Sequence, residues 1–157
     1  MFVKLSKCLD ERYQIVLVGT NSDIDKNLPE NIISIHRTQN QNELADIYSA
    51  ADLFVNPTRE DNYPTVNMES IACGTPVLTF KTGGSPECID EETGLVAEEK
   101  TYQAILGAIE TIFENYIFQE ADCVKKAKTF DKNVKYQEYL ELYCDILDMN
   151  KNGNYSE

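Results

Sequence analysis

Residues 53–80 hold two short apolar runs, Leu53-Phe54-Val55 and Pro76-Val77-Leu78-Thr79-Phe80, on either side of a single helix pattern. Strand, helix and strand in that order specify a parallel, right-handed crossover, because a connection of this length passes over a sheet face instead of turning back as a hairpin. The first run stops at Asn56-Pro57 and gives way to a polar loop in which Arg59, Glu60, Asp61 and Asn62 are adjacent. Pro64-Thr65 opens the helix, and Val66, Met68, Ile71 and Ala72 supply its apolar face. Gly74 ends it. After the second strand come Gly83-Gly84 and a helix start, with Ser85 expected as cap and Pro86 as the first helical residue.

In an open parallel α/β sheet, ligands bind in the crevice outside the carboxyl ends of the strands. Both loops are expected there. The first offers carboxylates, which accept hydrogen bonds from sugar or ribose hydroxyls. The second offers bare backbone before a helix start, which can approach a phosphate closely and point N–H groups at it. The combination suits a ligand with both kinds of group, such as a nucleoside diphosphate sugar.

The rest of the chain repeats the alternation. Residues 3–9 read as a short helix, and Tyr13–Gly19 as a buried strand, since its nearly continuous apolar run is what a parallel sheet requires. Gly19 stands at the ligand-side end of that strand, either as a turn or as a phosphate clamp. Ile32–Ile35 is a second strand, followed by His36 and Arg37, which either line a pocket or belong to a solvated loop. Asn40 or Asn42 can cap a helix through Ser49, with Leu44, Ile47 and Tyr48 facing the core. Gly94–Val96 is a short strand or turn, and a 3.6-residue period runs from Tyr102 to Tyr116. Ala121–Ala127 suggests a short helix. A last helix from about Asn133 to Leu147 places Tyr136, Tyr139, Leu140, Tyr143, Ile146 and Leu147 on one face, with tyrosines expected to cover the core rim. Residues 1–148 are thus expected to form a single domain, and 149–157 a disordered tail.

Charge and composition exclude several functions. A formal charge of −13, from 14 basic and 27 acidic residues, argues against a nucleic-acid surface, which needs clustered cations. No apolar run approaches a membrane span, and the N-terminus does not have the pattern of a signal peptide. Five scattered cysteines (Cys8, Cys73, Cys88, Cys123, Cys144) without C-x-x-C spacing read as reduced packing residues of a cytoplasmic protein. Asn154-Tyr155-Ser156 fits a glycosylation acceptor, which has no meaning without a secretory route. Asp23-Ile24-Asp25 has metal-ligand spacing but lies in a loop and reads as a solvated turn, so no metal site is expected.

Pattern alone leaves the acids ambiguous. Glu69 is either a charged acceptor for a ribose diol or a solvated helix-surface acid. Glu60 and Asp61 either meet the hydroxyls of a transferred sugar or form a salt-bridged loop with Arg59.

Residues 51–97 resemble the nucleotide-sugar-binding half of retaining glycosyltransferases of the GT-B fold, family GT4. The likeness is carried by Ala51-Asp52-Leu53-Phe54-Val55-Asn56-Pro57-Thr58 and Asn67-Met68-Glu69-Ser70-Ile71-Ala72-Cys73-Gly74-Thr75-Pro76-Val77. It continues through Gly83-Gly84-Ser85-Pro86-Glu87 and Thr93-Gly94-Leu95-Val96. The resemblance implies an α/β, three-layer Rossmann-like domain with a parallel sheet, equivalent to the C-terminal half of such an enzyme. It places Glu69 at the donor ribose and Asp61, or its neighbour Glu60, in the catalytic position facing the sugar. Tyr63, Pro64, Thr65 and Val66 are implied near the diphosphate, with Gly83 and Gly84 beside the donor pocket.

The implied substrate is a UDP- or GDP-sugar, with no other cofactor, and the implied reaction transfers a hexose to a glycan or lipid-linked acceptor in polysaccharide biosynthesis. The family also has an acceptor domain N-terminal to this one, and a first strand carrying Gly-Arg and Lys-Gly pairs that neutralise the leaving diphosphate. This sequence shows neither, and Lys4 and Lys7 fall in what resembles the helix after that strand. The expected partners are therefore a nucleotide sugar and an acceptor domain, on this or another chain, with self-association if apolar edges stay open. The complete enzyme is expected in the cytoplasm or peripheral to the inner membrane face. Alternatives are a non-catalytic nucleotide-sugar-binding module and an inactive fragment.

Overall fold

A computed structural model describes residues 1–115 and 118–151. Tyr116, residues 152–157 of the expected tail, and the Asn154–Ser156 sequon lie outside the described residues. In chain order the elements are α1 (Phe2–Leu5), β1 (Ile15–Val18), α2 (Ser22–Asp25), β2 (Ile32–Ile35), α3 (Gln41–Ser49), β3 (Phe54–Asn56) and α4 (Thr65–Ala72). Then follow β4 (Val77–Phe80), a 3₁₀ turn (Ser85–Cys88), β5 (Gly94–Ala97), α5 (Tyr102–Asn115), α6 (Glu120–Ala127), a second 3₁₀ turn (Lys128–Phe130) and α7 (Lys132–Lys151).

All pairing among the described strands is parallel, in two pieces: β1 with β2, and β3-β4-β5 in that order. Period-two alternation sends successive side chains of β4 to opposite faces, and each face has its own core. Leu78 and Phe80 pack with Leu5 of α1, Ala97 of β5, and Ile105, Ile109 and Ile112 of α5. Val77 packs with Ile71 of α4, Cys88, Ile89, and Cys123 of α6. Helices therefore cover the sheet on both sides, giving the three α/β layers expected. The two sheet pieces share one layer, since Ile15 of β1 and Val55 of β3 pack against the same core.

Local chemistry sets the boundaries. Asn40 caps α3 by accepting from the amide of Glu43 (3.0 Å), and Asn21 caps the single turn α2, where a loop is expected. Gly74, at φ +85°, closes α4 in the left-handed region.

Three expectations need correction. The Tyr13–Gly19 run is not a buried strand: Val16 and Val18 are 43% and 41% exposed, because one face of the β1-β2 pair has no covering layer among the described residues. The tyrosines of α7 do not cover a core rim; Tyr136, Tyr139 and Tyr143, with Leu140, Ile146 and Leu147, are all exposed. That helix also runs to Lys151, through the start of the expected tail.

Candidate functional site

The site lies at the carboxyl ends of β3 and β4, where the polar loop after β3 meets the glycine loop after β4. The two interlock. Gly84 N–H donates to the Asn62 carbonyl (2.8 Å), and a Cβ on Gly83 or Gly84 would collide with the Asp61 or Asn62 carbonyl oxygen respectively. Gly83 also has φ +47°, so both the contact and the backbone require glycine. The expected convergence of the loops is thus met at Asp61, Asn62, Gly83 and Gly84.

Beneath them sits a buried polar network. Asn56 Nδ2 donates to Asn67 Oδ1 (2.8 Å), and Asn67 Nδ2 donates to Ser85 Oγ (3.0 Å). Thr79 Oγ1 lies 2.6 Å from Ser85 Oγ and donates to the Asn56 carbonyl (3.0 Å). Asn67, Thr79 and Ser85 are fully buried, so their polar groups need these partners, and together they fix the ends of β3, α4, β4 and the 3₁₀ turn in register. This redirects Ser85, which is not a helix cap: its hydroxyl is held inside the network, and the segment after it is one 3₁₀ turn without a side-chain cap.

The expected site residues divide into groups. Asp61 Oδ1 accepts from the Tyr63 amide (3.1 Å), which tightens the loop entering α4, while Glu60 is exposed beside it. Pro64 occupies the cap position of α4, buried and extended at φ −71°; Thr65 and Val66 follow, exposed, in a first turn that no side chain caps. The Tyr63 ring leans against Gly84 on one side and meets the Phe130 ring edge-on (centroids 6.4 Å apart) on the other. Burial, and then the adjacent Cys88, push the Tyr63 hydroxyl's pKa up.

Glu69 stands one turn down α4, in a groove of about 480 Å³ between α4 and α6, lined also by Thr65, Met68, Lys128 and Phe130. The Tyr63–Phe130 contact forms the link between this groove and the glycine loop. The Glu69 carboxylate accepts from Tyr48 Oη on α3 (3.4 Å). Burial, and then that carboxylate, raise the Tyr48 pKa to about 12, so Tyr48 stays a donor at neutral pH.

Gly19, His36 and Arg37 form a separate group at the ends of β1 and β2. Gly19, at φ +85°, donates its N–H to the Ile35 carbonyl (2.9 Å) and has open space around its α-carbon. His36 is exposed and bonded to Asp25, which also accepts from Ser34 Oγ (2.6 Å); Arg37 is exposed. The hydrogen bonds of this group stay among β1, α2 and β2. Among the described residues no cluster of three or more His, Cys, Asp or Glu is placed to hold a metal ion.

Sequence reasoning missed two residues. Asn67 shares the buried face of α4 with Ser70 and Ile71, whereas Val66 and Ala72 of the expected apolar face are exposed, so hydrophobic periodicity pointed away from it. Lys100, from the loop after β5, donates to the Arg59 carbonyl (2.9 Å) and to Thr82 Oγ1 (3.0 Å), tying both site loops together. Nothing in its local sequence announces that role.

Comparison with known proteins supplies the setting. Residues 1–135 match the family model of glycosyl transferases group 1. The D-inositol 3-phosphate glycosyltransferase of Corynebacterium glutamicum is 33% identical over 109 residues, 67% of this chain and 26% of that protein. Its counterpart in Corynebacterium aurimucosum is 29% identical over 155 residues, covering 89% and 37%. The chain thus spans well under half the length of these relatives. The sucrose-phosphate synthase of Thermosynechococcus elongatus superposes with a TM-score of 0.77 at 23% identity, over 94% of this chain and 41% of that one. Anabaena HepE in complex with UDP-glucose superposes at 0.69 and 16%, over 91% and 44%; at these identities both show the shared fold.

Proposed function

Because this chain belongs to the family of glycosyl transferases group 1, we propose that it is the donor-binding half of a retaining, nucleotide-sugar-dependent GT4 enzyme that transfers a hexose to a glycan or lipid-linked acceptor. The observation that carries this reading is the interlock of the Asp61-Asn62 loop with Gly83-Gly84 at the carboxyl ends of a parallel sheet, where α/β folds bind ligands. Glu69 accepts from the ribose diol, Asp61 or Glu60 meets the sugar, and the uncapped start of α4 at Thr65 and Val66 lies by the diphosphate. Catalysis by such an enzyme requires stabilising the charge on the departing nucleoside diphosphate and holding donor and acceptor together. The complex of Anabaena HepE with UDP-glucose supports a UDP-sugar as the first donor to test. Five free thiols are consistent with a reducing cytoplasm, and no described helix is long and apolar enough to cross a membrane.

Titration of the 157-residue chain with UDP-glucose and a GDP-sugar tests this. Binding of one donor is expected, weakened by Glu69→Ala, with no transfer activity until an acceptor domain is supplied. Equal affinity in wild type and Glu69→Ala removes Glu69 from the pocket; turnover at ordinary enzymatic rates by the isolated chain refutes the need for a second domain. A non-catalytic binding module is the second reading, favoured by Asp61, whose Oδ1 is already engaged by the Tyr63 amide (3.1 Å). It predicts binding with no turnover in any combination.

A further inference from the structure

We propose that Lys100, seconded by Arg59, is the cationic contact for the donor's diphosphate, an inference that rests on the donor-site reading above. The ligand is anionic and the chain carries −13, so binding needs a local positive charge that is not already neutralised. Two amides of the glycine loop are already engaged, those of Gly84 and Ser85 with the Asn62 and Thr82 carbonyls (2.8 and 3.0 Å). Upstream Lys4 is engaged elsewhere: it lies over the Tyr102 ring, 5.3 Å from its centroid, on the α1–α5 side of the molecule.

Lys100 is placed differently. Its ammonium reaches the residue before Gly83 and a residue just ahead of Asp61, donating to Thr82 Oγ1 (3.0 Å) and the Arg59 carbonyl (2.9 Å). Both acceptors are neutral, so the charge stays uncompensated, and an ammonium has a third N–H to give. Arg59 returns the contact, with Nη2 donating to the Lys100 carbonyl (3.3 Å). Each cationic side chain is thereby tied to the other residue's backbone at the ligand end of the sheet. Among the described residues neither is ion-paired with a carboxylate, whereas nearby Lys81 is bound to Glu98 (2.9 Å). Cations anchored in one loop cluster without a carboxylate partner, in a strongly acidic chain, form a site for an external anion. Lys100 is also half-buried, which strengthens a charge-assisted bond to phosphate oxygen.

The test is calorimetric titration of the full chain with uridine, UDP and UDP-glucose, using wild type, Lys100→Met, Lys100→Arg, Arg59→Met and the control Lys81→Met. Lys100→Met is expected to lose roughly tenfold in UDP and UDP-glucose affinity with uridine binding unchanged. Lys100→Arg should keep most of the affinity, Arg59→Met should lose a smaller factor, and Lys81→Met should match wild type. If Lys100→Met binds UDP like wild type, the inference fails while the donor site stands. If uridine and UDP weaken by the same factor and the thermal midpoint falls, Lys100 is only a staple between loops, which also overturns it. If wild type binds none of the three ligands, the donor-site reading fails and takes the inference with it.

Discussion

β1 and β4 are four-residue apolar runs, Ile-Val-Leu-Val and Val-Leu-Thr-Phe, that read alike in sequence and differ in the fold. All four residues of β4 are fully buried, between paired strands on both edges and helix layers on both faces. In β1 burial alternates, with one paired edge and one face open to solvent. Composition selects the strand; its neighbours decide whether the strand carries stability. The loops of the candidate site grow from the buried half.

Substitutions can break or sharpen that contrast. Phe80→Ala removes a fully buried ring and should cost about 3–5 kcal/mol in urea unfolding, whereas Val16→Ala should cost below about 1 kcal/mol because that side chain is already 43% exposed. Equal losses would show that the β1 face is covered in solution. Gly83→Ala should lose about 1–3 kcal/mol through strain at φ +47° and collision with the Asp61 carbonyl. Gly107→Ala, in α5 with open space around it, should gain up to about 1 kcal/mol, so opposite signs are expected. Asn67→Ala leaves buried partners unmatched and should cost about 1–3 kcal/mol, with donor affinity falling alongside stability.

Smaller effects follow on the open half. Thr at Val16, Val18 and Ile33 should leave unfolding nearly unchanged but reduce self-association in sedimentation, since it removes exposed apolar surface and not core. Smallest is a pH effect at Asp90. Burial pushes its carboxyl up, but the Thr93 hydroxyl and the Lys126 ammonium outweigh it and hold the pKa below the ordinary 3.8. A lowered carboxyl stabilises the fold above the unfolded-state value and loses that contribution as pH falls through the folded one. In acid titration, wild type should therefore be more stable than Asp90→Asn at neutral pH, with the gap closing only below about pH 4; a gap that closes near neutrality would contradict the assignment.

The βαβ unit was legible because its signals are local: Pro57 and Gly74 punctuate it, and the spacing of Met68, Ile71 and Ala72 is helical, although the face that α4 buries is Asn67, Ser70 and Ile71. The convergence of the two loops followed from topology. Lys100 was not legible, since its partners Arg59 and Thr82 are far away along the chain. Ser85 was misread because Ser-Pro resembles a capped helix start while the hydroxyl answers to Asn67 and Thr79. In α7, periodicity reported an apolar stripe and could not report whether anything covers it. Asn67 shows the converse, a polar residue whose burial only its partners explain.

The close fit of Gly83 and Gly84 onto the Asp61 and Asn62 carbonyls also bears on motion. Two loops so engaged cannot act as independent flaps, because lifting either one breaks the Gly84 bond and exposes the amide network underneath. The two loops therefore form one rigid unit, and any displacement of either must carry the other with it, together with the ends of β3, α4 and β4 that the network joins.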